Sequence, residues 1–207
     1  MRTTLVASGL AVLCLFAASC GEKGTASTGP GSNTTEEPKI VFADDAFKHI
    51  RLEAEDAVHI EGVVMRVVED PEASGGKCVW IPDKAGTPDP KSTSPKYDRA
   101  VYKFKVEEPG YYTFWCRRKW KDSCGDTLAV RFDKVGRPHS EAFDFGHDDS
   151  SWRWGWSPVY EGGKPRQFFL EAGNHTLEIL NREDGPRYDV ILLTNDRDYV
   201  PQGLEAR

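Results

Sequence analysis

Three tryptophans stand two residues apart in the segment SWRWGW: Trp152, Trp154 and Trp156. Side chains alternate along an extended strand, so all three rings share one face. Turned inward they make a bulky core stripe, with Arg153 and Gly155 pointing out. A ring held at a loop or sheet rim has another use. It offers a flat apolar surface for stacking on a sugar, at little conformational-entropy cost. The pattern leaves both uses open. Trp80 and Trp120 are further candidates, Trp120 because it ends a strand-like run at KWKD, where full burial is harder. Polar partners lie nearby in sequence. Arg117, Arg118 and Lys119 precede Trp120, while Asn181, Arg182, Glu183, Asp184 and Arg187 fall in NREDGPR. The planar donor fork of an arginine can clamp vicinal hydroxyls or a uronate carboxylate. NREDG also reads as a solvated, salt-bridged hairpin turn, and the two roles are compatible because binding residues ride on loops of rigid scaffolds.

The carboxylates suggest two other chemistries. Glu53 and Glu55, at i and i+2 in an extended segment, point the same way. Such a pair suits a hard cation such as calcium, which takes oxygen ligands; a solvated edge strand is the alternative. Asp144, Asp148 and Asp149 are also clustered. Glycoside hydrolysis needs two carboxyls at a controlled separation, but nothing marks one of these as a buried proton donor. The histidines, His49, His59, His139, His147 and His175, sit in no GxSxG, HExxH or comparable constellation. No cysteine and histidine spacing fits zinc. A small polysaccharide hydrolase or lyase using Asp144 or Asp148 is therefore a minor alternative, and no catalytic residue is assigned.

The elements that would position these residues are strands. IRLEAE, VVMRVV, KCVWI, VYKFKV, YYTFWCRRKW, TLAVRF, EAFDF, RQFFLEAGNHTLEIL and RYDVILL carry short period-2 patterns punctuated by Gly and Pro. Tyr102, Phe104 and Val106 share one face of their strand, as do Tyr112, Phe114 and Cys116 of the next. EEPG and EAGN read as hairpin turns. Roughly ten strands in a domain of about 150 residues indicate an antiparallel β-sandwich of the all-β class, with a closed barrel as the alternative.

The chain has 207 residues, with 27 basic and 33 acidic side chains. This excess of acid argues against nucleic acid as a partner. Residues 1–19 read as an export signal, and Ala17-Ala18-Ser19-Cys20 resembles a bacterial lipobox, which makes Cys20 the expected lipid anchor. Removing that segment takes away Arg2 and moves the net charge from −6 to −7. Residues 20–43 read as a flexible tether, 44–197 as the domain and 198–207 as a tail. The location implied is the bacterial cell envelope, with secretion or the periplasm as the alternative, and the membrane is met through the lipid only. An exported chain permits disulfides. Cys116 with Cys124 is the favoured pair, because a short hairpin would set them opposite one another, and Cys78 with Cys116 is the rival.

Five segments in order resemble a known family. They are LEAEDA, ASGGKCVWIP, PGYYTFWCR, FFLEAGNHTLEIL and YDVILLT, spanning about residues 50–195. Together they look like non-catalytic carbohydrate-binding modules of families 6 and 35, which are galactose-binding-like jelly-roll sandwiches. The resemblance implies a structural calcium ion held by Glu53, Glu55 and Asp189. It also implies glycan binding at loops on one edge of the sandwich, with Trp152, Asn181 and Trp80 at matching positions. The loop CRRKWKDSCG is longer and more basic than such a module needs.

The expected function is thus binding of extracellular or cell-surface polysaccharide without cleavage. The expected contacts are Trp152, Trp120 or Trp80, with Asn181, Arg182 and Arg117. Basic residues near the site would favour acidic or sulfated glycans through local charge only, because the net charge gives no long-range attraction. A separate polysaccharide-active enzyme is a possible partner. The leading alternative is an extracellular structural or protein-binding module whose tryptophans fill the core.

Overall fold

In the strand Arg99–Val106, the side chains of Ala100, Tyr102, Phe104 and Val106 enter the core, while Lys103 and Lys105 face out. The computed structural model describes residues 47–86, 88, 97–148 and 151–204. Cys20, the export segment and the tether lie outside the described residues. The strands in chain order are β1 (His49–Glu53), β2 (His59–Glu61), β3 (Arg66–Glu69), β4 (Lys77–Trp80) and β5 (Arg99–Val106). Next come β6 (Gly110–Lys119), β7 (Thr127–Phe132), β8 (Phe143–Gly146), β9 (Trp154–Pro158) and β10 (Tyr160–Glu161). The last four are β11 (Lys164–Pro165), β12 (Gln167–Leu170), β13 (Gly173–Asn181) and β14 (Arg187–Thr194).

Two antiparallel sheets face each other. The seven-stranded sheet runs β12-β6-β14-β4-β3, with β1 also on β14 and β9 also on β6; the five-stranded sheet runs β2-β5-β13-β7-β8. One apolar core joins them, with Phe114, Cys116, Ile191 and Leu193 from the larger sheet meeting Tyr102, Leu128, Leu177 and Ile179 from the smaller. The phases predicted for Tyr102, Phe104 and Val106, and for Tyr112, Phe114 and Cys116, hold, because all six side chains enter this core. The architecture is an all-β sandwich, as the strand pattern indicates.

The turns differ from expectation. EEPG joins β5 of one sheet to β6 of the other, and EAGN does the same for β12 and β13. NREDG carries β13 across to β14. None is a hairpin. A corner between sheets needs the same Gly, Pro and Asp chemistry as a tight turn, and a period of two says which face is buried but not which strand lies alongside. The crossings gather the loops after β4, β6 and β13 at one end of the sandwich. There the Gly185 amide donates to the Ile81 carbonyl at 2.9 Å, and the Ile81 amide to the Pro186 carbonyl at 3.0 Å.

The crossing from β6 to β7 also overturns the disulfide expectation. Cys116 faces the core and Cys124 is exposed on the loop, and both are free, as is buried Cys78. Because β6 and β7 belong to different sheets, no hairpin sets Cys116 opposite Cys124. The rival pair fails as well. β14 lies between β4 and β6, and two strand spacings amount to roughly 9–10 Å, beyond the reach of a disulfide of about 7 Å. Residues 198–204, expected as a tail, lie on the outer face of the larger sheet. Tyr199 packs with Trp115, Leu192 and Trp156 there, and the Trp156 indole N–H donates to the Gly203 carbonyl at 3.1 Å.

Candidate functional site

The outer face of the larger sheet carries a transverse row of cations and indoles. Arg66 of β3 is paired with Trp80 of β4, Trp80 with Arg187 of β14, Arg187 with Lys119 of β6, and Lys119 with Trp154 of β9. Five strands thus contribute one residue each at one level. Cations sit over rings along the row: Arg66 and Arg187 on Trp80 at 5.0 and 5.3 Å, and Lys119 and Arg117 on Trp154 at 5.6 and 4.7 Å. Trp152 precedes β9 and leaves its line. Its ring lies over Lys119 at 5.0 Å and Arg187 at 5.2 Å. Each such contact contributes about 0.5–1 kcal/mol when exposed and about 2 when desolvated.

Trp152 is the most exposed of the tryptophans, at 47%. Beside it opens a cavity of about 360 Å³ lined by Trp80, Asp83, Lys121, Trp152, Gly185 and Arg187. Its size falls within the range of small-ligand sites. Gly185 has φ +97°, and a Cβ there would stand 2.6 Å from the Lys121 Cβ, so a glycine is what lets the β13–β14 crossing approach the Lys121 loop. Donors line this cleft. The partly exposed Arg187 donates through Nη1 to Asp70 Oδ2 at 2.7 Å. Lys121 Nζ is 3.7 Å from Asp122 and 4.0 Å from Asp83, beyond hydrogen-bond length. The cleft therefore combines one open indole face, a guanidinium, an ammonium and a carboxylate. That set suits a hydroxyl-rich ring: one face to stack on, donors and an acceptor at its rim.

Of the residues proposed from sequence, Trp152 and Trp80 meet at this cleft. Trp120 does not. It is 0% exposed, its indole N–H donates to Asp148 Oδ1 at 2.9 Å, and Phe145 and the Arg118 guanidinium pack against it. It directly follows β6 and points to the same inner side as Cys116, so a strand end that looked open is instead covered by Phe145 of β8 and by Asp148 beyond it. Arg117 is buried and ion-paired with Asp189. Asn181 is buried, and its backbone N–H donates to the Asp98 carbonyl at 3.0 Å. Arg182 is held by Asp144 at 2.9 Å and by Thr127 and Glu183 at 3.0 Å each. None of these three lines the cleft. Lys121, Asp83 and Gly185, which do, were not singled out, and Arg187 appeared only within NREDGPR; only long-range register brings the four together.

The candidate hydrolytic carboxylates are also occupied. Asp148 accepts from Trp120, from Arg118 Nη2 at 2.8 Å and from the Ser157 hydroxyl. Asp144 accepts from Arg182 and stands 3.6 Å from His139. Asp149 lies outside the described residues.

A second cluster forms around Glu53, Glu55 and Asp189, one carboxylate oxygen of each lying within 4.8 Å of the others. Glu53 ends β1, Glu55 sits in the short 3-10 turn Ala54–Asp56, and Asp189 rides on a bulge of β14 between Tyr188 and Val190. A bulge re-aims one side chain without ending the strand, which brings Asp189 to the cluster. Gly75, at φ +62°, leaves room for Glu55, whose Oε1 would stand 2.9 Å from a Cβ there. The Ser74 amide donates to both Asp189 oxygens at 3.0 Å, and Arg51 pairs with Glu53 at 2.8 Å. With Arg117 on Asp189, two guanidiniums face three carboxylates, which leaves one negative charge unbalanced. Burial raises the Glu55 and Asp189 carboxyls above their ordinary range, and the neighbouring carboxylates add to this. The second oxygens of Glu53 and Glu55 are buried without a donor among the described residues. Converging, under-satisfied oxygens of this kind fit a hard dication such as calcium.

No protein-family model matches the chain. Uncharacterized protein P23 of Formosa agariphila is 28% identical over 106 residues, covering 48% of this chain and 26% of that protein. The match thus spans about a quarter of that relative's length. Among solved structures, the GH26-CBM35 β-(1,4)-mannanase of Podospora anserina is similar with a TM-score of 0.50 at 16% identity, covering 74% of this chain and 28% of that one. The chain has the β-sandwich fold of carbohydrate-binding modules. The C-terminal CBM6 of the Zobellia galactanivorans laminarinase LamC gives a TM-score of 0.48 at 13% identity, over 72% of this chain and all of that one. A family 35 module of Clostridium thermocellum gives 0.48 at 15%, over 70% and 97%.

Proposed function

We propose that this protein binds polysaccharide at the Trp80–Trp152 cleft and does not cleave it. The observation that carries the reading is the outward face of Trp152, open beside a cleft that also presents Arg187, Lys121 and Asp83. A pyranose ring stacks its apolar face on that indole, while Arg187 and Lys121 donate to hydroxyls and Asp83 accepts from one. Trp80 stands between Arg66 and Arg187, contributed by the strands on its two sides, so it walls the cleft with its edge. The cleft cations have carboxylates close by, Asp70 for Arg187 and Asp83 with Asp122 for Lys121. Local charge thus gives an acidic chain little advantage, and hydroxyl recognition dominates. Binding without cleavage fits the ion pairs that hold Asp144 and Asp148 in place.

The proposal extends to the setting. The chain is exported and held at the cell envelope by a lipid on Cys20, where it presents polysaccharide to a separate enzyme. Calcium, held by Glu53, Glu55 and Asp189, ties β1 to β14 and supplies structure rather than chemistry. The test of binding is affinity electrophoresis in laminarin, galactomannan, alginate and a sulfated galactan. Retention by at least one polymer is expected, with Trp152→Ala weakening it about 30-fold, the effect of losing an interfacial tryptophan worth about 2 kcal/mol. No retention by any polymer at millimolar saccharide, or retention unchanged by Trp152→Ala, refutes the reading.

A further inference from the structure

A tryptophan that serves as a stacking platform must be held flat while much of its surface stays wet. Among the described residues, Trp152 joins neither apolar cluster. Beneath its ring lie two cations instead, Lys119 Nζ at 5.0 Å and the Arg187 guanidinium at 5.2 Å. Arg187 lines the cleft, whereas Lys119 does not. Lys119 is only 7% exposed, an unusual place for an ammonium. Glu72 supplies one carboxylate oxygen at 2.7 Å, on a side chain that is itself largely exposed. Two indole rings also lie against the ammonium, Trp152 at 5.0 Å and Trp154 at 5.6 Å. A buried charge with one acceptor is costly unless its remaining surface is compensated, and two π faces supply that compensation. The contact acts in both directions. It offsets the burial of Lys119, and it gives the Trp152 ring a charge to rest on.

We propose that Lys119 is a positioning residue for the Trp152 platform, holding the ring in its binding orientation before any sugar arrives. The inference rests on the cleft being the sugar site, but the clamp itself exists without ligand. A ring left free would have to be ordered by each ligand, and for a side chain with only two torsions that weakens binding about two- to three-fold. Three variants of the full chain separate the possibilities. Lys119→Met keeps the apolar stem and removes the charge. Lys119→Gln keeps a donor for Glu72 without the charge, and Lys119→Arg keeps a cation.

Hydroxyl-radical footprinting of the ligand-free protein reads the clamp directly as oxidation of Trp152. Affinity electrophoresis in the four polymers named above reads its consequence. Lys119→Met and Lys119→Gln are expected to raise Trp152 oxidation at least two-fold and to weaken retention about two- to three-fold, and Lys119→Arg to restore both. Circular dichroism establishes that each variant is folded, and the Gln variant serves if the Met variant is not. Trp152 oxidation unchanged in a folded charge-free variant overturns the inference. If the wild-type protein is retained by none of the polymers, the sugar reading fails, and the footprint alone decides whether Lys119 pins the ring.

Discussion

Stripping divalent cations from the Glu53–Glu55–Asp189 cluster is the perturbation with the most calculable effect. An ion that binds only the folded chain stabilises it by RT ln(1 + [L]/Kd), about 2.7 kcal/mol when free ion is at 100 times its Kd. For a domain of this size each kcal/mol moves the melting temperature by about 2–4 °C, so calcium at that excess raises it by about 5–11 °C over protein in EDTA. The pH dependence carries a sign. Burial first, and neighbouring carboxylates after it, raise the folded-state values of Glu55 and Asp189 above their unfolded values. Their protonation therefore favours the metal-free fold, a contribution fully present below the unfolded values and lost as pH rises through the raised folded ones. Protons and calcium compete for the same oxygens. The calcium increment should thus be largest near neutral pH and shrink on acidification into the carboxylate range. Glu55→Gln removes one like charge and one ligand, so it should leave the metal-free protein as stable or more so while abolishing the response to calcium. Differential scanning fluorimetry with elemental analysis reads all of this. An equal melting temperature in EDTA and calcium with no bound metal, or an increment that grows on acidification, would refute the reasoning.

Other outcomes follow from individual side chains. Trp120→Ala should cost about 3–5 kcal/mol in urea unfolding, the usual cost of emptying a large core site, while leaving polysaccharide retention unchanged; Trp152→Ala should do the reverse. Asp148→Ala should destabilise by about 3–5 kcal/mol, because it leaves buried Arg118 without its carboxylate, and neither it nor the wild type should release sugars from polysaccharide. A wild-type hydrolytic activity lost in that variant would return Asp148 to a catalytic role. In the folded domain Ellman's reagent should label Cys124 alone. Burial pushes the Cys78 thiol up to about 12 and raises Cys116 further still, so both should react only on unfolding, and dithiothreitol should leave the melting temperature unchanged.

How far the sequence disclosed this molecule depended on range. Strand phase is local, and Tyr112, Phe114 and Cys116 turned inward as their spacing demands. The juxtaposition of Glu53 with Glu55 is local too, although Asp189 joins them through a bulge that no spacing announces. Strand partnership is not local. The corners EEPG, EAGN and NREDG carry hairpin chemistry, and only the facing of two sheets distinguishes them from hairpins. Trp120 differs from expectation for the same reason: the end of a strand implies exposure, whereas its burial comes from Phe145 of β8 and from Asp148 beyond it. Trp152 exposes the limit of periodicity in the opposite way. It shares the two-residue spacing of Trp154 and Trp156 but precedes β9, so it is free to fold back over Lys119 and Arg187.

The concentration of tryptophans between Trp80 and Trp156 has a physical reason in that outer face. Part of it is covered by Tyr199, which leaves Trp115 and Trp156 to pack as ordinary apolar groups. Toward Arg66 and the cleft that covering is replaced by a stack in which each cation rests on an indole and each indole on a cation. Such a stack lets a sheet shield Lys119 and Arg117, which a plain apolar surface could not neutralise. It must also end somewhere. Trp154 receives Arg117 and Lys119, and Trp80 receives Arg66 and Arg187 from opposite sides. Trp152 receives its two cations from the sheet below and turns its other face to water. The same device that makes a charged sheet face stable thus leaves one indole, held in place and unpartnered on one side, at the mouth of a cleft.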